Sequence, residues 1–104
     1  MRLLNAFSLN MFDSFPASVS VEEVSLDEAK SLVAVGFESG VGHADTANVF
    51  ADQLGVAVPA ARATIILESG ETVLVGQYRG PRLPEGACTL PDGATIQWLR
   101  VTVI

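Results

Sequence analysis

The apolar positions of the chain change their spacing several times, and each change marks an element. Leu3, Leu4, Ala6 and Phe7 stand close together, so Leu3 to Phe7 reads as a short buried strand. Val19 and Val21 alternate with polar residues ahead of Glu22-Glu23, which predicts a second strand over Val19 to Val24 with both glutamates exposed. The period then lengthens. Leu26, Ala29, Leu32 and Val33 fall on one helical face behind Ser25-Leu26-Asp27-Glu28, a capping-box pattern. In such a box the Ser25 hydroxyl accepts from the Glu28 amide, and the Glu28 carboxylate reaches back to the Ser25 N–H. Gly36 stands where a C-terminal cap belongs. Phe37 to Gly42 is glycine-rich and reads as irregular. A second helix is expected from about Ala44 to Leu54, with Ala47, Phe50, Ala51 and Leu54 inward and Gly55 ending it.

After Pro59 the pattern turns to strands. Ala63 to Glu68 and Glu71 to Tyr78 are β-rich runs on either side of Ser69-Gly70, which predicts a hairpin. Residues 80–93 combine Pro81, Pro84 and Pro91 with Gly80, Gly86 and Gly93 and read as a structured loop. Thr95 to Ile104 is a last, largely apolar strand whose Trp98, Val101 and Val103 suit the core or a dimer contact. Two strands, two helices and three strands in that order indicate an α+β domain: a small mixed or antiparallel β-sheet with two helices packed on it. No repeat interrupts the chain, so one domain is expected over residues 1–104.

With 49% hydrophobic and 17% charged residues among 104, the chain can build a core of its own, and disorder is excluded. No apolar run approaches ~18 residues, so no membrane-spanning helix is expected. Asn5 and Asn10 break the start Arg2-Leu3-Leu4 too early for a secretory signal. Cys88, the single cysteine, excludes an internal disulfide and a multi-cysteine zinc site and points to a reduced, cytoplasmic setting. The net charge of −6 argues against a binder of long nucleic acid. The charge is uneven. Residues 1–58 set Arg2 and Lys30 against eight acids, whereas residues 59–104 set Arg62, Arg79, Arg82 and Arg100 against four. An anionic ligand of this chain is therefore expected to be small and held locally by a few arginines.

Three constellations can carry chemistry. His43, the single histidine, follows Gly40-Val41-Gly42 where the second helix begins. Imidazole is the side chain suited to proton transfer near neutral pH, and free amides at a helix start suit a phosphate. The alternative is a polar helix-start residue with no chemistry. Next, Arg82-Leu83-Pro84-Glu85-Gly86, with Arg79 ahead of it, sets a guanidinium and a carboxylate on one rigid loop. Arg82 can clamp a phosphate and Glu85 can orient His43 or an attacking hydroxyl, or the two form a surface ion pair. Third, Asn5-Ala6-Phe7-Ser8-Leu9-Asn10-Met11 offers neutral donors and acceptors fit for ribose or adenine, and equally fit for turns and caps. Cys88 reads as a nucleophile partnered by His43 or as buried packing. No phosphate-loop lysine, paired histidines or nucleophile elbow is present, and neither a metal nor another cofactor is expected.

Leu4 to Met11, Ser39-Gly40-Val41-Gly42-His43 with Thr46-Ala47, the stretch from Leu54-Gly55 to Arg62, and Arg82 to Gly86 occur in an order and spacing that resembles one family. That family is the small viral and bacterial ring nucleases. Its viral members act as anti-CRISPR proteins, and its bacterial members accompany type III CRISPR systems. The resemblance covers nearly the whole chain. It implies a homodimer that binds cyclic tetra-adenylate and cuts it without metal, by attack of a ribose 2′-hydroxyl, into linear di-adenylates with 2′,3′-cyclic phosphate ends. Carried over by position, it makes His43 the catalytic histidine with Arg82 and Glu85 beside it. Asn5, Ser8, Gly42, Arg62 and Gln77 become ligand-contacting positions. One departure is that the run from Gln77 to Arg82 is a residue longer than is usual in the family.

Two other classes fit the same residues. A module that only sequesters the cyclic nucleotide needs the arginines but no histidine at a helix start. A structural or adaptor dimer with no nucleotide ligand suits the net charge of −6.

Overall fold

The computed structural model describes residues 1–104. Five strands and two helices follow one another as β1 (Arg2–Leu4), β2 (Val19–Val24), α1 (Leu26–Ala34), β3 (Glu38–Gly40), α2 (Ala44–Leu54), β4 (Thr72–Arg79) and β5 (Thr95–Val103). A single 3₁₀ turn, Leu9–Met11, interrupts the loop between β1 and β2. Helix α1 starts where its cap predicts, with the Ser25 hydroxyl accepting from the Glu28 amide at 3.1 Å. Helix α2 starts after His43 and ends at Gly55, whose φ of 71° lets its amide return to Ala51 O at 2.9 Å.

The strands form one mixed sheet in the order β2-β5-β4-β1-β3. β4 pairs antiparallel with β5 from Thr72↔Thr102 to Arg79↔Thr95, and β5 pairs antiparallel with β2. β1 lies between β4 and β3 and runs parallel to both, with Leu3 opposite Leu74 on one side and Ser39 on the other. The expected α+β class, with two helices on a small mixed sheet, is therefore what the chain adopts.

Both faces of the sheet are apolar, as the two-residue alternation along each strand requires. Leu3, Leu74, Val24 and Trp98 meet Ala29 and Val33 of α1 and Ala47, Phe50 and Leu54 of α2 on the helical face. Leu4, Val73, Val75, Val101 and Val103 form a second cluster on the opposite face. Phe7, Met11, Phe12, Ile65 and Leu67 pack over that cluster from the two long loops. Trp98, Val101 and Val103 all belong to the core. Phe50 and Trp98 meet edge to face with centroids 5.0 Å apart, directly over Gly76. A Cβ at Gly76 would lie 2.5 Å from the Phe50 ring and 2.7 Å from the Trp98 ring, so the aromatic pair settles there because no side chain intervenes.

Five expectations need correction. Ala63 to Glu68 is not a strand and makes no hairpin; it crosses the second face and touches strand geometry only in the Phe12↔Leu67 bridge. The reason is topological: β4 already has β1 on one edge and β5 on the other. A tight turn does form at Ser69-Gly70, with Glu71 N bonded to Glu68 O at 3.1 Å, but one of its arms is a loop. Phe37 to Gly42 is not wholly irregular, since Glu38–Gly40 forms edge strand β3. The first strand stops at Leu4, short of Phe7, and two strands rather than three follow the helices. Cys88 is exposed, not packed in the core.

Candidate functional site

The carboxyl ends of β1, β3 and β4 lie on one rim, because the three strands run parallel. Open sheets bind ligands outside such ends. The segments leaving this rim carry Asn5, then Gly42 and His43, then the loop after Arg79. His43 is exposed, and its side chain makes no cap bond to the helix it precedes. The first amides of α2 have no carbonyl partners within the helix.

His43, Arg82 and Glu85 line one open hollow of ≈870 Å³ together with Asp45, Thr46, Tyr78 and Leu83. The three residues that the resemblance marks as catalytic, 42 positions apart from first to last in sequence, thus share a single concavity. No hydrogen bond joins Glu85 to His43 in the free protein; such contacts commonly tighten only on a bound substrate. A cation, a carboxylate and a proton-transferring ring around helix-start amides can hold a phosphate and donate a proton to one of its oxygens.

None of the remaining expected residues lines this hollow. Asn5 and Arg62 both grip the residue before His43: Asn5 Oδ1 accepts from Gly42 N at 3.4 Å, and Arg62 Nε donates to Gly42 O at 3.0 Å. Ser8 serves as a cap, its hydroxyl accepting from Asn10 N at 3.2 Å. Gln77 donates to Gln97 Oε1 at 3.1 Å and, with Asn5, Phe7, Val21 and Leu99, borders a smaller hollow of ≈200 Å³ on the second sheet face. Arg79 donates to Gln97 Oε1 at 3.4 Å, and of the two arginines after Gln77 it is Arg82 that shares the hollow with His43. Cys88 stands outside the hollow, its thiol donating to Gly86 O at 3.3 Å. No group of three or more His, Cys, Asp or Glu side chains converges as a metal site would require.

Asp45 and Tyr78 were not marked by the sequence. Asp45 Oδ1 accepts from Gly86 N at 3.0 Å, and the Tyr78 hydroxyl donates to Pro81 O at 2.6 Å. Gly80 makes the turn out of β4 with φ of 155°, where a Cβ would lie 2.7 Å from Ala94 Cβ.

A small mixed-sheet α+β protein with a polar hollow at the rim of its parallel strands is the class defined so far. The profile of the STIV B116-like family matches residues 1–95, and the chain belongs to that family. It is 34% identical over 73 residues to the uncharacterized protein ORF117 of Acidianus two-tailed virus, a match that covers 67% of this chain and 62% of that protein. The chain thus spans less than two thirds of the length of that relative. The solved structure of B116 from Sulfolobus turreted icosahedral virus superposes with a TM-score of 0.83 over 97% of both chains at 23% identity, a likeness of fold.

Proposed function

We propose that this protein is a ring nuclease that binds cyclic tetra-adenylate and opens it without a metal ion, switching off type III CRISPR signalling. The observation that carries the reading is the meeting of His43, Arg82 and Glu85 in one hollow beside the start of α2. In the reaction a ribose 2′-hydroxyl attacks its own 3′ phosphodiester, the new O2′–P bond forms, and the P–O5′ bond breaks. The hydroxyl proton is lost to water. Protonated His43 gives a proton to the departing 5′ oxygen, Arg82 neutralises the phosphorane, and Glu85 orients the imidazole. Asn5, Ser8, Arg62, Gln77 and the Gly42 backbone hold nucleotide groups around the reacting phosphate.

The ring has a two-fold axis, so a C2 dimer offers opposite phosphates the same groups and makes two cuts, leaving two di-adenylates. The second sheet face supports this arrangement: Val21 is 54% exposed there, next to Phe7, Leu99 and the site residues Asn5 and Gln77. A pair of copies offers one ring two sets of His43, Arg82 and Glu85 and doubles the arginines available to it.

The test is incubation with cyclic tetra-adenylate in EDTA, followed by chromatography of the nucleotide. Linear di-adenylate with 2′,3′-cyclic phosphate is expected. Intact ring recovered from a stable complex overturns the enzyme reading in favour of sequestration. A thermal-shift series with cyclic oligoadenylates that moves nothing overturns both in favour of an adaptor.

A further inference from the structure

The loop that carries Arg82 and Glu85 is fastened to the rest of the fold at both of its ends, and within it there is a local turn bond from Ala87 N to Pro84 O at 3.0 Å. Before Arg82, the Tyr78 hydroxyl at the end of β4 donates to Pro81 O at 2.6 Å. After Glu85, the Gly86 amide donates to Asp45 Oδ1 at 3.0 Å, a bond that crosses 41 residues to the first turn of α2. Arg82 and Glu85 are exposed and owe no side-chain bond to the rest of the chain, so these two fastenings fix where their backbone sits. The anchor of each is rigid: Tyr78 is held in the β4–β5 ladder opposite Ile96, and Asp45 stands two residues after His43 on α2.

We propose that Asp45 and Tyr78 are positioning residues that clamp the 81–86 segment over His43 and so set the distance between the guanidinium, the carboxylate and the imidazole. The proposal rests on the ring-nuclease reading for its catalytic consequence, but the clamp itself does not. Asp45 matters as an acceptor and not as a charge. Its carboxylate lines the same hollow as Arg82, where a negative charge opposes a phosphate, and the Gly86 bond gives that oxygen a use. An amide oxygen in its place makes the same bond.

The experiment compares Asp45→Ala, Asp45→Asn and Tyr78→Phe with the unaltered protein by amide exchange at Gly86, by affinity for cyclic tetra-adenylate and by single-turnover cleavage. Asp45→Ala is expected to speed exchange of the Gly86 amide roughly fivefold, the share of one lost hydrogen bond. Its cleavage rate is expected to fall by about tenfold or more while affinity changes far less, because misplaced groups cost the transition state first. Asp45→Asn is expected to restore both exchange and cleavage to within about threefold of the unaltered protein, a recovery that is impossible if the charge of Asp45 is what matters. Tyr78→Phe keeps the ring in the sheet and is expected to slow cleavage without moving Gly86 exchange. Unchanged Gly86 exchange in Asp45→Ala overturns the clamp, as does Asp45→Asn behaving like Asp45→Ala. Full cleavage by Asp45→Ala with a loosened Gly86 overturns its catalytic role. If the unaltered protein leaves the ring intact, the nuclease reading fails alone, and the Gly86 exchange of the Ala and Asn variants still decides the clamp.

Discussion

His43 carries the heaviest burden of any single side chain, and it faces open solvent over the hollow with no bond restraining it. His43→Ala is expected to lower single-turnover cleavage of cyclic tetra-adenylate by roughly 10²–10⁴-fold while the affinity stays close to that of the unaltered protein. Arg82→Ala is expected to lose roughly 10–100-fold in cleavage, the size of a charge-assisted hydrogen bond. Arg79→Ala, in contrast, removes a side chain turned toward Gln97 and is expected to cleave normally in the same assay. The sequence made His43, Arg82 and Glu85 legible because each sits beside a glycine or proline that breaks an element. Asp45 and Tyr78 were illegible: the partner of each is a backbone group, and for Asp45 that group lies 41 residues away. Ser8 shows the reverse, since the same hydroxyl that suits a ligand is engaged as a cap.

At the scale of elements, α1 and α2 were legible from the Ser25 cap, the Gly55 stop and the helical period, because a helix satisfies its backbone within itself. Strands depend on partners. Nothing local to Ala63–Glu68 records that β4 has both edges occupied, nor that Glu38–Gly40 finds a free edge of β1. The alternation of Ile65 and Leu67 with exposed neighbours is genuine, but it serves a loop draped on the second face. Of the glycines, Gly76 is the one where an added Cβ would come nearest another atom, 2.5 Å from the Phe50 ring. Gly76→Ala forces a methyl against Phe50 and Trp98 and is expected to destabilise the fold by about 1–3 kcal/mol, measurable by denaturant unfolding. Because the site hangs on the same α2 that Phe50 anchors, cleavage by this variant should also be lost at a lower temperature than in the unaltered protein.

For the whole molecule, the outstanding quantity is the number of copies. Sedimentation is expected to give a dimer, and Val21→Glu, which sets a charge into the open apolar patch beside Leu99, is expected to give monomers with cleavage falling as protein is diluted. A dimer of unaltered mass in Val21→Glu would place the contact elsewhere. The edge strands constrain the geometry of any such pair. β2 presents Ser20, Glu22 and Glu23 to solvent along one margin of the sheet, and β3 closes the other margin with only three residues, the first of them Glu38. The β3 margin offers an approaching molecule a ladder of only three residues, and the exposed charged side chains of β2 blunt the other margin. Association is thereby steered toward the broad surfaces. The open-ended strand addition that drives fibre growth is discouraged even at high concentrations of this protein.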